Sequence, residues 1–388
     1  MNAAAAGLRL AVFTDTFTPQ VNGVARTLEH LVRAVEARGG AVHVETVAMP
    51  GTFPAERVRR APSVPFWAYP ELRIAAPSSG AAERRLAHFG PTVVHVATPF
   101  GVGLAGRAAA RRQGLPLVSS YHTTFPEYLR HYRLTALDQM AWPFLRWFHN
   151  AGLRTFVPSE TVRRELTQQG FQRLRVWSRG VDAERFSPAH RAEDMRRAMG
   201  AGGDDFVVAY VGRLAPEKRV DDVVAATRLL QRRFGHRVRL AIAGDGPERE
   251  RLRAAAPEGT WFAGTLAGPA LAEFYASADA FAFASVTETF GNVVLEAMAS
   301  GLPVVAPDTG ATLEFAHAGN ALNFAPREAD GLAAQLTRLL LDPALRTALG
   351  RLGRAEAASR SWDAVWDRLV ADYRAVSPPR PAGTPCAA

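Results

Sequence analysis

The sequence predicts an α/β protein built from two Rossmann-like domains facing one another across a cleft, and three observations carry that expectation. The chain has 388 residues, more than one ordinary hydrophobic core organises. Short apolar runs bounded by Gly, Pro or polar residues alternate with longer helical patterns, as parallel βα units require. The alternation occurs as two series, separated by the turn-rich segment from Trp177 to Pro188.

In the first series Arg9–Phe13 reads as the opening strand. A helix over Thr27–Arg38 follows, with Leu28, Leu31, Val32 and Val35 on one face and Gly39-Gly40 as its stop. Val42–Val47, Val93–Ala97, Leu117–Tyr121 and Thr155–Pro158 read as further strands. The second series is Phe206–Val211, Arg239–Ala243, Trp261–Ala263, Ala280–Ala284 and Pro303–Ala306. Ser361–Val376 reads as a final amphipathic helix, with Trp362, Trp366, Leu369 and Tyr373 on one stripe. The expected domains are residues 8–178 and 179–360, followed by that helix over 361–376 and a disordered Pro-rich tail over 377–388.

A hydrophobic content of 48% with 21% charged residues excludes the disordered class. No run approaches the roughly 20 apolar residues of a membrane-spanning helix. The stretch Met1–Gly7 lacks the basic residues of a secretory leader, and the run Leu8–Phe13 is too short for a leader's apolar region. The expected location is therefore the cytoplasm, peripheral on the inner membrane at most. The single cysteine, Cys386, excludes a disulfide framework and a cysteine zinc site.

The net charge is +9, and it is unevenly spread. Between residues 101 and 200, 16 Arg stand against 8 acidic residues, a local excess of +8. Arg107, Arg111, Arg112, Arg130, Arg133 and Arg146 are interleaved there with Tyr128, Tyr132, Trp142, Trp147 and Phe148. Such a block suits an anionic partner, either phospholipid headgroups or nucleic acid. A solvated arginine surface is the plainer reading. Of the 46 basic residues 45 are Arg, and Lys218 is the only lysine.

Gly101-Val-Gly103-Leu-Ala-Gly106 matches the dinucleotide-binding fingerprint. Three residues, Thr98-Pro-Phe100, separate it from its strand, and the next strand leads to His122 with no acidic residue for a ribose hydroxyl. Close helix packing accounts for these glycines, and an NAD cofactor is not expected.

The chemistry concentrates in Ala280–Val305, which reads strand, turn, helix, Gly stop, strand. Glu288 lies in the turn and Glu296 inside the helix, about 12 Å apart along a helix axis. Between them the amides of Phe290, Gly291 and Asn292 mark a helix N-terminus, where partial positive charge suits phosphate. A nucleotide-diphosphate sugar has this layout, hydroxyl-rich at both ends with phosphate in the middle. Glu296 interrupts the apolar run Val-Val-Leu-Glu-Ala-Met-Ala, where a carboxylate without partners is costly. Arg213 and Lys218 follow the first strand of the second series and are suited to a diphosphate, one as a planar fork and one as a point charge. In the first series, Gly23 lies in a loop able to bring backbone amides to phosphate, and His122 leaves a strand end.

These residues together resemble the retaining GT-B glycosyltransferases of glycosyltransferase family four. The resemblance rests on Glu288 to Glu296, Gly212 to Lys218, Ala243-Gly-Asp-Gly-Pro247 and Met298 to Val305, and it spans residues 8–376. Pro19–Gly23, Ser120–Thr123 and Trp177–Asp182 are most similar to bacterial GDP-mannose-dependent α-mannosyltransferases. Sulfoquinovosyl-diacylglycerol synthases look similar too. Arg179 stands where the family more commonly has Asn.

The resemblance implies that Glu296 holds the nucleotide ribose and Glu288 the sugar hydroxyls. It places the amides of Phe290–Asn292 on sugar and phosphate. Arg213 and Lys218 then bind the diphosphate, Gly23 approaches it, and His122 contacts the sugar. The final helix crosses back to the N-terminal domain. The implied reaction is transfer of a hexose, mannose favoured, from GDP-mannose to a lipid or glycan hydroxyl, without metal or other cofactor and without nucleic acid. The alternatives are a UDP-sugar donor (glucose, galactose or sulfoquinovose), a GT-B epimerase or phosphorylase, or a non-catalytic protein that binds anionic membranes or nucleic acid.

Overall fold

The computed structural model describes residues 4–20, 22–51, 56–66, 69–76, 79–122 and 135–377. Tyr128, Arg130, Tyr132 and Arg133 of the basic block, the tail after Ser377 and Cys386 lie outside the described residues. The chain forms two compact units. The first comprises residues 1–158, 162–177 and 364–388, and the second residues 159–161 and 178–363.

The first unit carries β1 (Arg9–Phe13), β2 (Ala41–Val47), β3 (Val58–Ala61), a hairpin of β4 (Ser63–Phe66) and β5 (Tyr69–Ala75), then β6 (Val93–Val96), β7 (Leu117–Ser120), β8 (Arg154–Val157) and β9 (Leu174–Val176). Seven of these strands form one sheet in the order β3-β2-β1-β6-β7-β8-β9, and β4 pairs with β5 alone. Every pairing in the large sheet is parallel. The second unit carries β10 (Phe206–Val211), β11 (Val238–Ala243), β12 (Trp261–Gly264), β13 (Ala280–Ala282), β14 (Val304–Pro307) and β15 (Leu322–Phe324). These six make a parallel sheet in the order β12-β11-β10-β13-β14-β15. Both sheets are Rossmann-like, with the direction of winding reversing next to their first strands.

Strand β10 shows why the second sheet is sealed on both faces. Successive side chains point to opposite sides of a strand. Val207, Ala209 and Val211 join a core containing Tyr275, Phe281, Phe283, Phe290 and Met298. Phe206, Val208 and Tyr210 join another containing Val223, Leu230, Leu240 and Leu336. A parallel strand covered on both faces needs an unbroken apolar run, and Phe206–Val211 supplies it.

Several boundaries differ from the sequence reading. The first helix spans Gly23–Ala37 and starts earlier than Thr27, because the Asn22 side chain caps it, accepting from the Ala25 amide at 2.8 Å. Strands β3, β4, β5, β9 and β15 carry weak apolar patterns and went unread. The turn-rich segment after Trp177, where the chain passes to the second unit, is docked: Val181 bridges to Ser361, and Val181 and Phe186 are buried in the second unit's core. The last helix, Trp362–Arg374, buries Trp366, Leu369, Val370 and Tyr373. From Ala364 onward its residues belong to the first unit, where Trp366 packs on Trp177 at 6.1 Å and Asp372 pairs with Arg154 and Arg175.

The glycines of the dinucleotide-like motif are consumed by packing. A Cβ on Gly101 would lie 1.7 Å from the Ala75 carbonyl oxygen, on Gly103 1.7 Å from that of Thr98, and on Gly106 2.3 Å from the Phe13 ring. The N-terminus of their helix is already filled by the buried Asp15 carboxylate, which accepts from the Val102 and Gly103 amides at 2.9 and 3.3 Å and from Thr98 Oγ1 at 2.7 Å. A pyrophosphate has no place there. Gly23 is different, because an added Cβ would meet nothing within 4 Å among the described residues. Gly103→Ala therefore destabilises the first unit by about 2 kcal/mol or more, whereas Gly23→Ala leaves its melting temperature unchanged. Calorimetric melting of the two variants checks the pair.

Candidate functional site

In an open parallel sheet, ligands bind beyond the carboxyl ends of the strands, where the winding reverses. In the second sheet that point lies between β10 and β13. The loop after β10 holds Arg213 and Lys218, and the loop after β13 holds Glu288 and Phe290. The two loops meet. Lys218 Nζ lies 2.6 Å from Glu288 Oε1, with side chains 18% and 20% exposed. Ser285 Oγ, buried, donates to the Glu217 carbonyl at 3.4 Å and ties the same loops together.

Lys218 is held from both sides in sequence. Pro216–Lys218 form a single 3-10 turn, and Arg219 follows in the left-handed region at φ 52°. That conformation is strained for a residue with a side chain. It is held by a two-pronged ion pair, Arg219 Nε to Asp222 Oδ2 at 2.6 Å and Nη2 to Oδ1 at 2.8 Å. Before Lys218, the buried Tyr210 hydroxyl donates to the Arg213 carbonyl at 3.2 Å. Burial first, then the carboxylates of Glu288 and Glu217, raise the Tyr210 phenol well above its usual value, so it stays a donor. Arg213 itself is half-buried.

The loop after β11 fixes Arg213 from below. Leu214 donates to the Asp245 carbonyl at 2.9 Å, and Gly212 to that of Ala243 at 3.0 Å. A Cβ on Gly244 would lie 1.8 Å from the Gly212 carbonyl oxygen, and one on Gly246 2.3 Å from that of Leu214. The Gly-Asp-Gly element is thus a steric requirement of the Arg213 loop.

The helix Asn292–Ala299 begins at Gly291, which adopts φ 97° and has no side chain capping the helix start. A helix's first amides have no intrahelical acceptors, so Phe290, Gly291 and Asn292 mark an electropositive end. Gly291 also serves the fold, because its Cβ would meet Thr312 Cγ2 at 2.5 Å. Phe290 is buried and stacks on Phe315 at 5.0 Å, while Asn292 is exposed. Two turns on, Glu296 is half-buried and its Oε2 accepts from the Tyr275 hydroxyl at 3.0 Å. Tyr275 is fully buried, and that burial and the Glu296 charge raise its phenol well above its usual value. The partner that the apolar run around Glu296 demanded is therefore Tyr275, on the helix Gly268–Ser277.

Gly23 and His122 belong to the first unit. Gly23 is exposed at the start of its helix, and His122 follows β7. His122 Nε2 lies 2.7 Å from Ser120 Oγ, and the ring meets Trp177 edge-on at 5.5 Å. Behind it, His95 contacts Ser120 Oγ and the Tyr373 hydroxyl, and His149 contacts Ser119 Oγ at 2.9 Å. Burial pushes both His95 and His149 down to about 3, so both are neutral.

On the same unit, the described part of the basic-aromatic block places Arg107 over the Trp147 ring at 3.6 Å. Trp147 is 51% exposed and stacks with Phe144, 38% exposed, on the helix Thr135–His149. Among the described residues no helix is long and apolar enough to cross a membrane.

The sequence reading missed Tyr210, Tyr275, Ser285 and the Arg219–Asp222 pair, which orient the residues it did find. Ser285 and Tyr275 act on partners 68 and 21 residues away, as Lys218 and Glu288 meet across 70. Residue type gives no signal for Tyr275, which sits in an ordinary apolar helix. His95 carries one signal, a histidine inside the fully buried strand Val93–Val96, where hydrogen-bonded partners are obligatory.

Residues 21–185 match the family described as Glycosyltransferase Family 4, and residues 191–356 match Glycosyl transferases group 1. A GDP-mannose-dependent alpha-mannosyltransferase of Mycobacterium tuberculosis is 38% identical, across 95% of this chain and 97% of its own length. The sulfoquinovosyl transferase SQD2 of Arabidopsis thaliana is 31% identical, across 93% of this chain and 72% of its own. In fold, the chain is similar to sucrose-phosphate synthase from Thermosynechococcus elongatus, with a TM-score of 0.78 at 20% identity, covering 95% and 99% of the two chains.

The neutral buried histidines make stability depend on pH. Each takes up a proton only when the first unit unfolds, so the stability present above about pH 6.5 is lost as pH falls toward 3. Between pH 7.5 and 5.5 the two together cost about 3 kcal/mol. Urea unfolding at these two pH values measures it. An unchanged stability contradicts the burial of neutral His95 and His149.

Proposed function

The chain belongs to Glycosyltransferase Family 4, and from its membership we propose that it transfers mannose from GDP-mannose, with retention, to a hydroxyl of a lipid or glycan. That it is a GT-B glycosyltransferase follows from the family and the two Rossmann-like sheets. The donor assignment takes its support from the mannosyltransferase relative, whose length the chain covers almost entirely.

The observation that carries the reading is the contact of Lys218 with Glu288 at 2.6 Å, where the winding of the second sheet reverses. A cation and a carboxylate held together beside a helix N-terminus suit a ligand that joins phosphate to hydroxyl groups. We assign Lys218 and Arg213 to the diphosphate, together with the amides of Phe290, Gly291 and Asn292. Glu288 takes the mannose hydroxyls. Glu296, with one oxygen on Tyr275, takes the ribose. In the first unit, His122 is assigned to the sugar and Gly23 to the phosphates. Nothing among the described residues requires a glycine at Gly23, and close ligand approach supplies a reason for one.

In the reaction the bond from the sugar's C1 to the β-phosphate oxygen breaks, and a bond from C1 to the acceptor oxygen forms on the same face. The acceptor's proton passes to the departing phosphate. The negative charge that develops there is met by Lys218, Arg213 and the helix N-terminus. These groups carry the role that a divalent cation plays in other transferases, so the proposed reaction needs no metal. Leaving-group stabilisation of this kind is worth about 100-fold or more in rate per group.

The acceptor side draws on the exposed aromatic residues of the first unit. Trp147 and Phe144 form an exposed aromatic pair backed by the buried Arg107, suited to the apolar margin of lipid headgroups, which supports a peripheral position on the inner membrane face. A UDP-sulfoquinovose donor is the second reading, favoured by the likeness to the sulfoquinovosyl transferase.

Lys218→Ala lowers kcat/KM for GDP-mannose by about 100-fold or more while the melting temperature stays within a degree or two of the wild type. EDTA leaves the wild-type rate unchanged, and the product carries an α-linkage. Radiolabelled transfer to extracted lipid measures the rate, and proton NMR of the product reads the anomer. A Lys218→Ala rate near the wild-type value, loss of activity in EDTA or a β-linked product contradicts the proposal.

A further inference from the structure

We propose that Ser120 and His95 fix His122 in the tautomer that carries its proton on Nδ1, making the imidazole a hydrogen-bond donor at that nitrogen. The inference deepens the assignment of His122 to the sugar and rests on that reading only for its kinetic half. Four groups stand in a row from the C-terminal helix, through β6 and β7, to His122. The Tyr373 hydroxyl lies 2.7 Å from His95 Nδ1, His95 Nε2 lies 2.8 Å from Ser120 Oγ, and Ser120 Oγ lies 2.7 Å from His122 Nε2.

Counting protons gives this row one direction. His95 is fully buried among the rings of Phe156, Trp177 and Tyr373, so it is neutral and has a single N–H. The Tyr373 hydroxyl is buried too, and among the described residues its acceptor is His95 Nδ1. A buried phenol proton with no acceptor loses its hydration and gains nothing in return. Tyr373 therefore donates to Nδ1, and the His95 proton sits on Nε2, pointing to Ser120. Ser120 accepts it and sends its own single proton to His122 Nε2. A neutral His122 is left with its proton on Nδ1.

Turning the last bond around alone would leave Ser120 accepting from both rings, with its own buried proton given no acceptor in the row. Turning all three would strand the Tyr373 proton instead. The edge-on contact of His122 with Trp177, at 5.5 Å and 72°, fixes the ring plane in addition to the tautomer. Ser120, His95 and Tyr373 act through His122 and are positioning residues. The row also gives the C-terminal helix a task beyond packing, because Tyr373 is the group that sets its direction.

The test uses the full-length protein, free of ligand, labelled with 15N at histidine. A long-range proton–nitrogen correlation spectrum shows which ring nitrogen carries the proton, and loss of signals in His122→Gln identifies those of His122. The wild type shows one tautomer with the proton on Nδ1. Ser120→Ala and Tyr373→Phe show a mixture or the Nε2 tautomer. A wild-type His122 protonated on Nε2 overturns the proposal whether or not either variant folds, and so does an unchanged single tautomer in Ser120→Ala.

The kinetic half follows on the same proteins. Ser120→Ala lowers kcat for mannosyl transfer about tenfold, with KM for GDP-mannose within about twofold of the wild type. An unchanged kcat alongside an altered tautomer overturns this half. A wild type with the Nδ1 tautomer that transfers no mannose supports the row and overturns the donor assignment, so the two failures are distinguishable.

Discussion

Lys218 and Glu288 are 70 residues apart in sequence and 2.6 Å apart in space, and the reversal of winding in the second sheet is what joins them. Strands β11 and β12 lie on one side of β10, and β13, β14 and β15 on the other. The loops leaving β10 and β13 therefore have no strand between them. A lysine at the end of one loop and a glutamate in the other come together over a gap where a helix N-terminus also opens. The remaining features of the second unit hold these loops in place. Tyr210 and the Gly-Asp-Gly element brace the Arg213 end, the Arg219–Asp222 pair holds the Lys218 end, and Ser285 joins the two.

Glycine has two separate uses in this chain, and the clearance around an added Cβ tells them apart. Gly101, Gly103, Gly106, Gly244 and Gly246 each sit against a backbone carbonyl or an aromatic ring. They permit packing and report nothing about ligands. Gly291 also carries a left-handed backbone, and a Cβ there would collide with Thr312, so its presence is dictated by the fold before any phosphate is considered. A Cβ on Gly23 would meet nothing among the described residues, so packing does not account for this glycine, and it is assigned to the proposed ligand. The dinucleotide-like spacing at Gly101 misleads for this reason. Its helix end already binds an anion, the carboxylate of Asp15.

The βα alternation, both sheets and the residues Glu288, Glu296, Arg213 and Lys218 were legible in the sequence. Each rests on a local pattern, an apolar run, a turn or a charge in an apolar setting. The supports that join distant segments were not legible, because nothing local marks them. The hydroxyl of Tyr275 meets Glu296 from another helix, and Tyr373 reaches His95 across 278 residues. Short or edge strands such as β3, β9 and β15 were missed for a related reason. Their hydrogen bonds come from the neighbouring strand, and their own sequences alternate weakly. The turn-rich segment after Trp177 does lie where the chain passes from one unit to the other, and its turn residues coexist with Val181 and Phe186, which the second core absorbs.

The central claim is that the loops at the winding reversal recognise a diphosphate. Calorimetric titration of GDP and GMP against the wild type and Lys218→Met tests it most directly, since the two nucleotides differ only in the second phosphate. The account predicts that GDP binds the wild type more tightly than GMP, and that removing the lysine amine abolishes most of that difference. Equal affinities for GDP and GMP in the wild type, or a GDP preference that persists in Lys218→Met, would contradict it.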